Sequence, residues 1–102
     1  MMHSEARLAT AMAARYLAQL CKHFAHKMKV DHDGNTGRIE FGAGVCSLEA
    51  QDGVLIMRAQ ANDPAALQQV QQVIDRHLER FAFRDKPQIA WRAEAPRETF
   101  FA

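Results

Sequence analysis

Apolar residues recur with helical spacing at Met12, Ala13, Tyr16, Leu17, Leu20, Phe24 and Met28, a stripe that predicts an amphipathic first helix. Ser4 is the candidate cap, with Glu5 in the first turn. From Met28 the period changes to two: Met28, Val30 and His32 alternate with Lys29, Asp31 and Asp33, and Asp33-Gly34-Asn35-Thr36-Gly37 supplies turn residues. This predicts a strand entering a hairpin. Arg38-Ile39-Glu40-Phe41 forms the returning strand, with Ile39 and Phe41 facing the same way. Gly42-Ala43-Gly44 marks a bend or bulge. Val45 to Ala50 and Val54 to Ala59, joined by Gln51-Asp52-Gly53, complete a meander.

Asn62 or Asp63 before Pro64 is a helix start, since the side chain can cap free N–H groups while proline sits where its missing donor costs little. The second helix runs to about Phe81 on the stripe Leu67, Val70, Val73, Ile74, His77, Leu78 and Phe81. A short extended segment around Ile89 and Trp91 follows Pro87. The tail from Glu94 to Ala102 has weak pattern, and its Phe100-Phe101 pair suits a loose end or a docking segment. The whole reads as a single α+β domain over residues 1–102, in the order α-β-β-β-β-α-(β). Its antiparallel sheet of four to five strands carries both helices on one face. Val45, Ser47, Glu49, Arg58 and Gln60 fall on the open face, with Val54 and Ile56 as apolar residues that a homodimer partner or the C-terminal segment could cover.

A chain of 102 residues with 48% hydrophobic residues supports one modest core. The formal charge is +1, but residues 1–30 hold five cations against one acid. Such an imbalance suits an anionic ligand near the first helix and falls short of a nucleic-acid footprint. No stretch is apolar enough to span a membrane, and no secretory signal pattern opens the chain. The two cysteines, Cys21 and Cys46, form no disulfide framework or zinc motif. A cytoplasmic, reducing location is therefore expected.

The candidate chemistry lies in Leu20-Cys21-Lys22-His23-Phe24-Ala25-His26-Lys27. On a helix His23 and His26 sit about 60° apart, near enough to share one ion or anion, whereas Cys21 lies about 160° from His23. That spacing gives at most two metal ligands, and a third would come from His32, His3, His77 or a carboxylate. The structural alternative keeps His23 at the border of the apolar face and His26 in solvent beside the helix end, where cations are favoured. His77 falls inside the second apolar stripe, as expected of a core histidine bonded to a carbonyl. With Arg80 and Arg84 it could instead line a pocket for a small anion. No nucleophile elbow, phosphate loop or catalytic triad is legible.

Four blocks, in order, are similar to the bacterial family called domain of unknown function 2218. They are Arg15-Tyr16-Leu17 with Leu20 to Lys27, Gly37 to Gly42, Val45 to Ala50, and His77 to Arg84, within a likeness that runs from about Ser4 to Trp91. Phe24 stands where many members have Trp, and Asp85 where Glu is commoner. The resemblance implies proximity to siderophore-interacting ferric reductases and so to bacterial iron handling. Some relatives bear the label of an aldolase whose barrel needs about 200 residues or more, which this chain does not hold.

These readings lead to a non-enzymatic binding or accessory domain. Lys22, His23, His26 and Lys27, with His77, Arg80 and Arg84, would meet an anionic iron complex, a haem-like molecule or a partner such as a siderophore-interacting reductase. The alternatives are a small metal-dependent enzyme using a transition metal on His23 and His26, and a structural homodimeric accessory protein.

Overall fold

The first eight described residues form a strand, which is the largest departure from the pattern-based expectation. The structure, a computed structural model, describes residues 2–82 and 89–93. Strand β1 (Met2–Ala9) is followed by helix α1 (Ala13–Phe24), strands β2 (Lys29–Asp33), β3 (Thr36–Glu40), β4 (Gly44–Gln51) and β5 (Val54–Ala61), helix α2 (Pro64–Phe81) and the short strand β6 (Arg92–Ala93). The order is therefore β-α-β-β-β-β-α-β, and the antiparallel sheet has six strands, arranged β2-β3-β4-β5-β1-β6. The α+β class stands.

Residues 4–9 are misread as a helical start because Glu5, Ala6, Arg7 and Leu8 favour helices intrinsically, yet they also alternate. Ser4, Ala6 and Leu8 are buried, while His3, Glu5, Arg7 and Ala9 face the other way. Pairing with the full length of β5, from Met2 opposite Ala61 to Ala9 opposite Val54, overrides the local preference. Ser4 is thus no cap. Its buried hydroxyl accepts a hydrogen bond of 2.6 Å from Nε2 of Gln71, which ties β1 to α2. The α1 start is instead organised by Thr10, whose Oγ1 accepts from the backbone N–H of Met12 at 3.0 Å.

The second helix begins as expected. Asp63 Oδ1 accepts from the N–H of Ala66 at 2.7 Å and Pro64 occupies the first turn. Both helices pack on one face of the sheet, α1 against β2 to β5 and α2 against β1, β4 and β5, and touch each other. Leu17, Leu20, Ile39, Leu55, Met57, Ile74 and Leu78 are fully buried in the layer between. Burying side chains of this size contributes about 1.5–3 kcal/mol each before ordering costs.

The opposite face carries the alternate residues of every long strand, and around Glu5 at its centre the charges are paired. Arg58 Nε reaches Glu5 Oε1 at 3.0 Å across the β1–β5 ladder, Arg7 Nε reaches Glu5 Oε2 at 3.1 Å, and Arg58 Nη1 approaches Glu49 Oε1 at 3.6 Å. Burial pushes the Glu5 carboxyl up, but the two guanidiniums outweigh it and hold its pKa below the usual value. Ile56, expected as exposed apolar surface, is only 2% exposed. It stands between Arg7 and Glu49 in the register, so the single chain already covers the larger of the two residues offered for a dimer contact.

Candidate functional site

Helix α1 ends at Phe24, and the chain turns at once, with Met28 N–H donating to Phe24 O at 2.9 Å before β2 begins. That reversal sets the last turn of α1 beside the last turns of α2. There the rings of His23 and His77 lie 4.5 Å apart between centroids, tilted by 52°. Phe24 meets His77 edge-on at 4.7 Å, Phe41 meets Phe24 at 5.2 Å, and Phe81 closes the group 6.2 Å from His23. Two imidazoles from distant parts of the chain are therefore neighbours in an aromatic cluster. The partner of His23 is His77 and not His26, which lies exposed in the turn after the helix ends.

His77 is half-buried and its Nδ1 lies 2.7 Å from the carbonyl of Val73, one helical turn back. A carbonyl can only accept, so Nδ1 carries the proton and Nε2 is the nitrogen left to take up a proton or a ligand. His23 stays at the surface. Contact with its neighbours partly desolvates it, and His77, His26, Lys27 and Arg80 add like charge, so its pKa is held below 6.5. Each of the charged groups acting on it is a cation or a potential cation. Among the described residues, neither Lys27 nor Arg80 nor Lys22 forms an ion pair with a carboxylate.

On the open sheet face the guanidiniums of Arg7 and Arg58 are matched by Glu5 and Glu49, whereas Lys27 and Arg80 have no carboxylate partner among the described residues. The carbonyl ends of the two helices offset part of this positive charge, each amounting to roughly half a negative charge. They do not reverse the depressed pKa of His23.

The remaining residues sort as follows. Lys22 is exposed on α1 but is absent from the groups that shift His23. Cys21 and Cys46 are buried in the core, and burial raises both thiol pKa values, that of Cys46 to about 12. They act as core residues. His32 is exposed on edge strand β2, and His3 lies on β1. Arg84 and the segment Glu94 to Ala102 lie outside the described residues. No group of three or more His, Cys, Asp or Glu side chains able to hold a metal occurs among the described residues.

Sequence reasoning missed the cleft beside the histidines. It has a volume of about 370 Å³ and is lined by Met28, Phe41, Gly42, Ala43, Gln69, Val70 and Val73. Phe41, expected within the strand on the same side as Ile39, sits just past β3 in a tight turn, its N–H donating to Gly44 O at 2.7 Å. The turn swings its ring to serve as both cleft wall and neighbour of Phe24. The Gly42-Ala43-Gly44 run was the available signal, since it announces a bend without giving its direction.

The fold and the motifs define a small bacterial α+β domain, and the chain belongs to the family described as "Uncharacterized protein conserved in bacteria (DUF2218)", whose model matches residues 5–92. Among solved structures it is similar to the NMR structure of PA4090 from Pseudomonas aeruginosa, at 36% identity and a TM-score of 0.78, over 90% of this chain and 96% of that one. No curated protein matches it. No helix among the described residues is long and apolar enough to cross a membrane.

Proposed function

We propose that this chain is a non-enzymatic binding domain that takes an anion at the joined C-terminal ends of its two helices. The observation that carries this is the 4.5 Å approach of His23 to His77 beside Lys27, Arg80 and His26, every one of them a basic side chain, with no carboxylate among the described residues that act on His23. An anion there relieves the mutual repulsion and accepts from ring N–H and guanidinium donors. In the iron-handling role that the family resemblance implies, the ligand is an anionic ferric chelate, and a siderophore-interacting reductase is the corresponding partner. The two rings do not sandwich a haem, because axial imidazoles with metal–nitrogen bonds of about 2 Å place their centroids at least about 6 Å apart.

NMR titration with citrate and with gallium citrate, a diamagnetic stand-in for the ferric complex, tests the reading at pH 6 and low salt. Saturable shifts of the His23 and His77 ring signals are expected, weakened in a Lys27→Glu, Arg80→Glu variant. Absence of saturation, or equal binding by that variant, removes the reading.

A second reading has its own observation. The Val73 carbonyl fixes the His77 tautomer with Nε2 free, as outer partners of ligating histidines do. A transition metal on His77 and His23 would then have two protein ligands here. Unchanged melting temperature on adding zinc, nickel or copper disposes of it.

A further inference from the structure

The cleft and the cationic cluster share a wall. Val73 lines the cleft and its carbonyl holds His77, while Phe41 lines the cleft and packs on Phe24, which in turn meets His77. Along α2, residues 69, 73, 77 and 80 fall within an arc of about 80°, and the rise from Val73 to Arg80 is about 10 Å. An apolar hollow thus adjoins a positive end whose Lys27 and Arg80 have no carboxylate partner among the described residues. We propose that this continuous surface binds a medium-chain carboxylate of about eight to ten carbons, its chain in the cleft against Met28, Phe41, Ala43, Val70 and Val73 and its carboxylate at His23, His77 and Arg80.

The proposal rests on the anion-binding reading above but puts an amphiphile in place of the ferric chelate, its chain occupying the cleft. Its chemistry follows from complementarity at both ends. Five apolar residues line the hollow and among its lining only Gln69 carries a polar side chain, which disfavours a sugar or a polyanion there. A volume of about 370 Å³ lies at the small end of the range for organic ligands, about 300–1,000 Å³. The positive cluster selects the sign of the head group. For a ligand that also fills the cleft a single terminal carboxylate is suitable, because a second charge along its chain would have to enter the apolar part. Each methylene placed in the cleft strengthens binding by up to about fourfold, so affinity should climb with chain length until the hollow is filled.

The test titrates the full chain at pH 6 with octanoate, butyrate, octylammonium and citrate, following the Val70 and Val73 methyl signals and the His23 and His77 ring signals by NMR. Octanoate should move both sets with one shared saturation curve, at least about tenfold more tightly than butyrate. Arg80→Glu, at an exposed position, should weaken octanoate about fivefold or more. Ala43→Leu, which fills the hollow, should weaken octanoate and leave citrate unchanged. Octylammonium binding as tightly as octanoate, or methyl signals that stay still, overturns the proposal. If citrate saturates the histidines while octanoate does no better than butyrate, the anion reading stands and this one falls. If neither citrate nor octanoate moves the rings, both fall.

Discussion

Gly37 on β3 leaves space that Cys21 on α1 fills: a methyl group at Gly37 would stand 2.6 Å from the Cys21 sulfur, with Leu17 and Leu48 3.5 Å away. The helix lies this close to the sheet because position 37 has no side chain. Gly37→Ala is expected to cost about 1–3 kcal/mol through overpacking. Cys21→Ala should recover most of that cost, since it removes the sulfur the new methyl would meet. Urea unfolding of both single variants and the double variant measures the coupling. An equal cost of Gly37→Ala with and without the sulfur contradicts the packing argument.

His23 provides the pH-dependent expectation. Its folded pKa is lowered by partial desolvation first and by the surrounding cations second. The unfolded chain therefore takes up the proton before the folded one does. The stability contributed by neutral His23 is complete above the ordinary value of 6.5 and is lost as the pH falls through the lower, folded value. An NMR titration of the ring should show a midpoint below 6.5 that moves up in Arg80→Gln. A midpoint at or above the ordinary value speaks against the cationic cluster.

Trp91 donates its indole N–H to Asp75 Oδ1 at 2.8 Å, joining the segment before β6 to α2. Burial raises the Asp75 pKa, Trp91 opposes it, and Glu79 adds a like charge. The folded carboxyl holds its proton more readily than the unfolded one, so its charged-state penalty is full above the folded pKa and fades as the pH falls. Asp75→Asn keeps an acceptor and removes the charge; it should match or exceed the parent in stability at pH 7. Asp75→Ala leaves the indole without that partner and should cost about 1 kcal/mol. The chain has one tryptophan, so its fluorescence should shift in the alanine variant and not in the asparagine one.

Thiol accessibility gives a direct measurement of the core. Cys21 and Cys46 are 1% and 0% exposed, and the Cys46 pKa is pushed up to about 12. Neither should react with Ellman's reagent at pH 8 over minutes in native protein, and both should react fully in guanidinium chloride. Rapid labelling without denaturant would show a more open core than the one described.

The legible parts of the fold were those where local chemistry and tertiary packing agree. Asp63-Pro64 announces a helix start that the structure uses, and the turn glycines Gly34 and Gly53 take φ of 59° and 76° as the hairpins require. Residues 2–9 were illegible because the same letters satisfy a helix locally and a strand through β5, a partner found only after folding. That misreading also left Trp91 and β6 without an assigned edge, since the edge is β1 itself. At the candidate site, the inward placement of His77 was visible in its apolar stripe. Its closeness to His23 depends on where α1 stops, and the sequence pattern carried α1 a turn too far, towards His26 and Met28.

The position of β1 has a consequence for synthesis on the ribosome. It is made before the other strands yet occupies the fifth place in the sheet, between β5 and β6. At roughly 5–20 residues per second, its partner at residues 54–61 is translated some seconds after it. During that wait a strand rich in β-branched residues would present an adhesive edge to other nascent chains. The β1 segment, MHSEARLA, has no β-branched residue and so a weak strand preference of its own until the ladder with β5 forms.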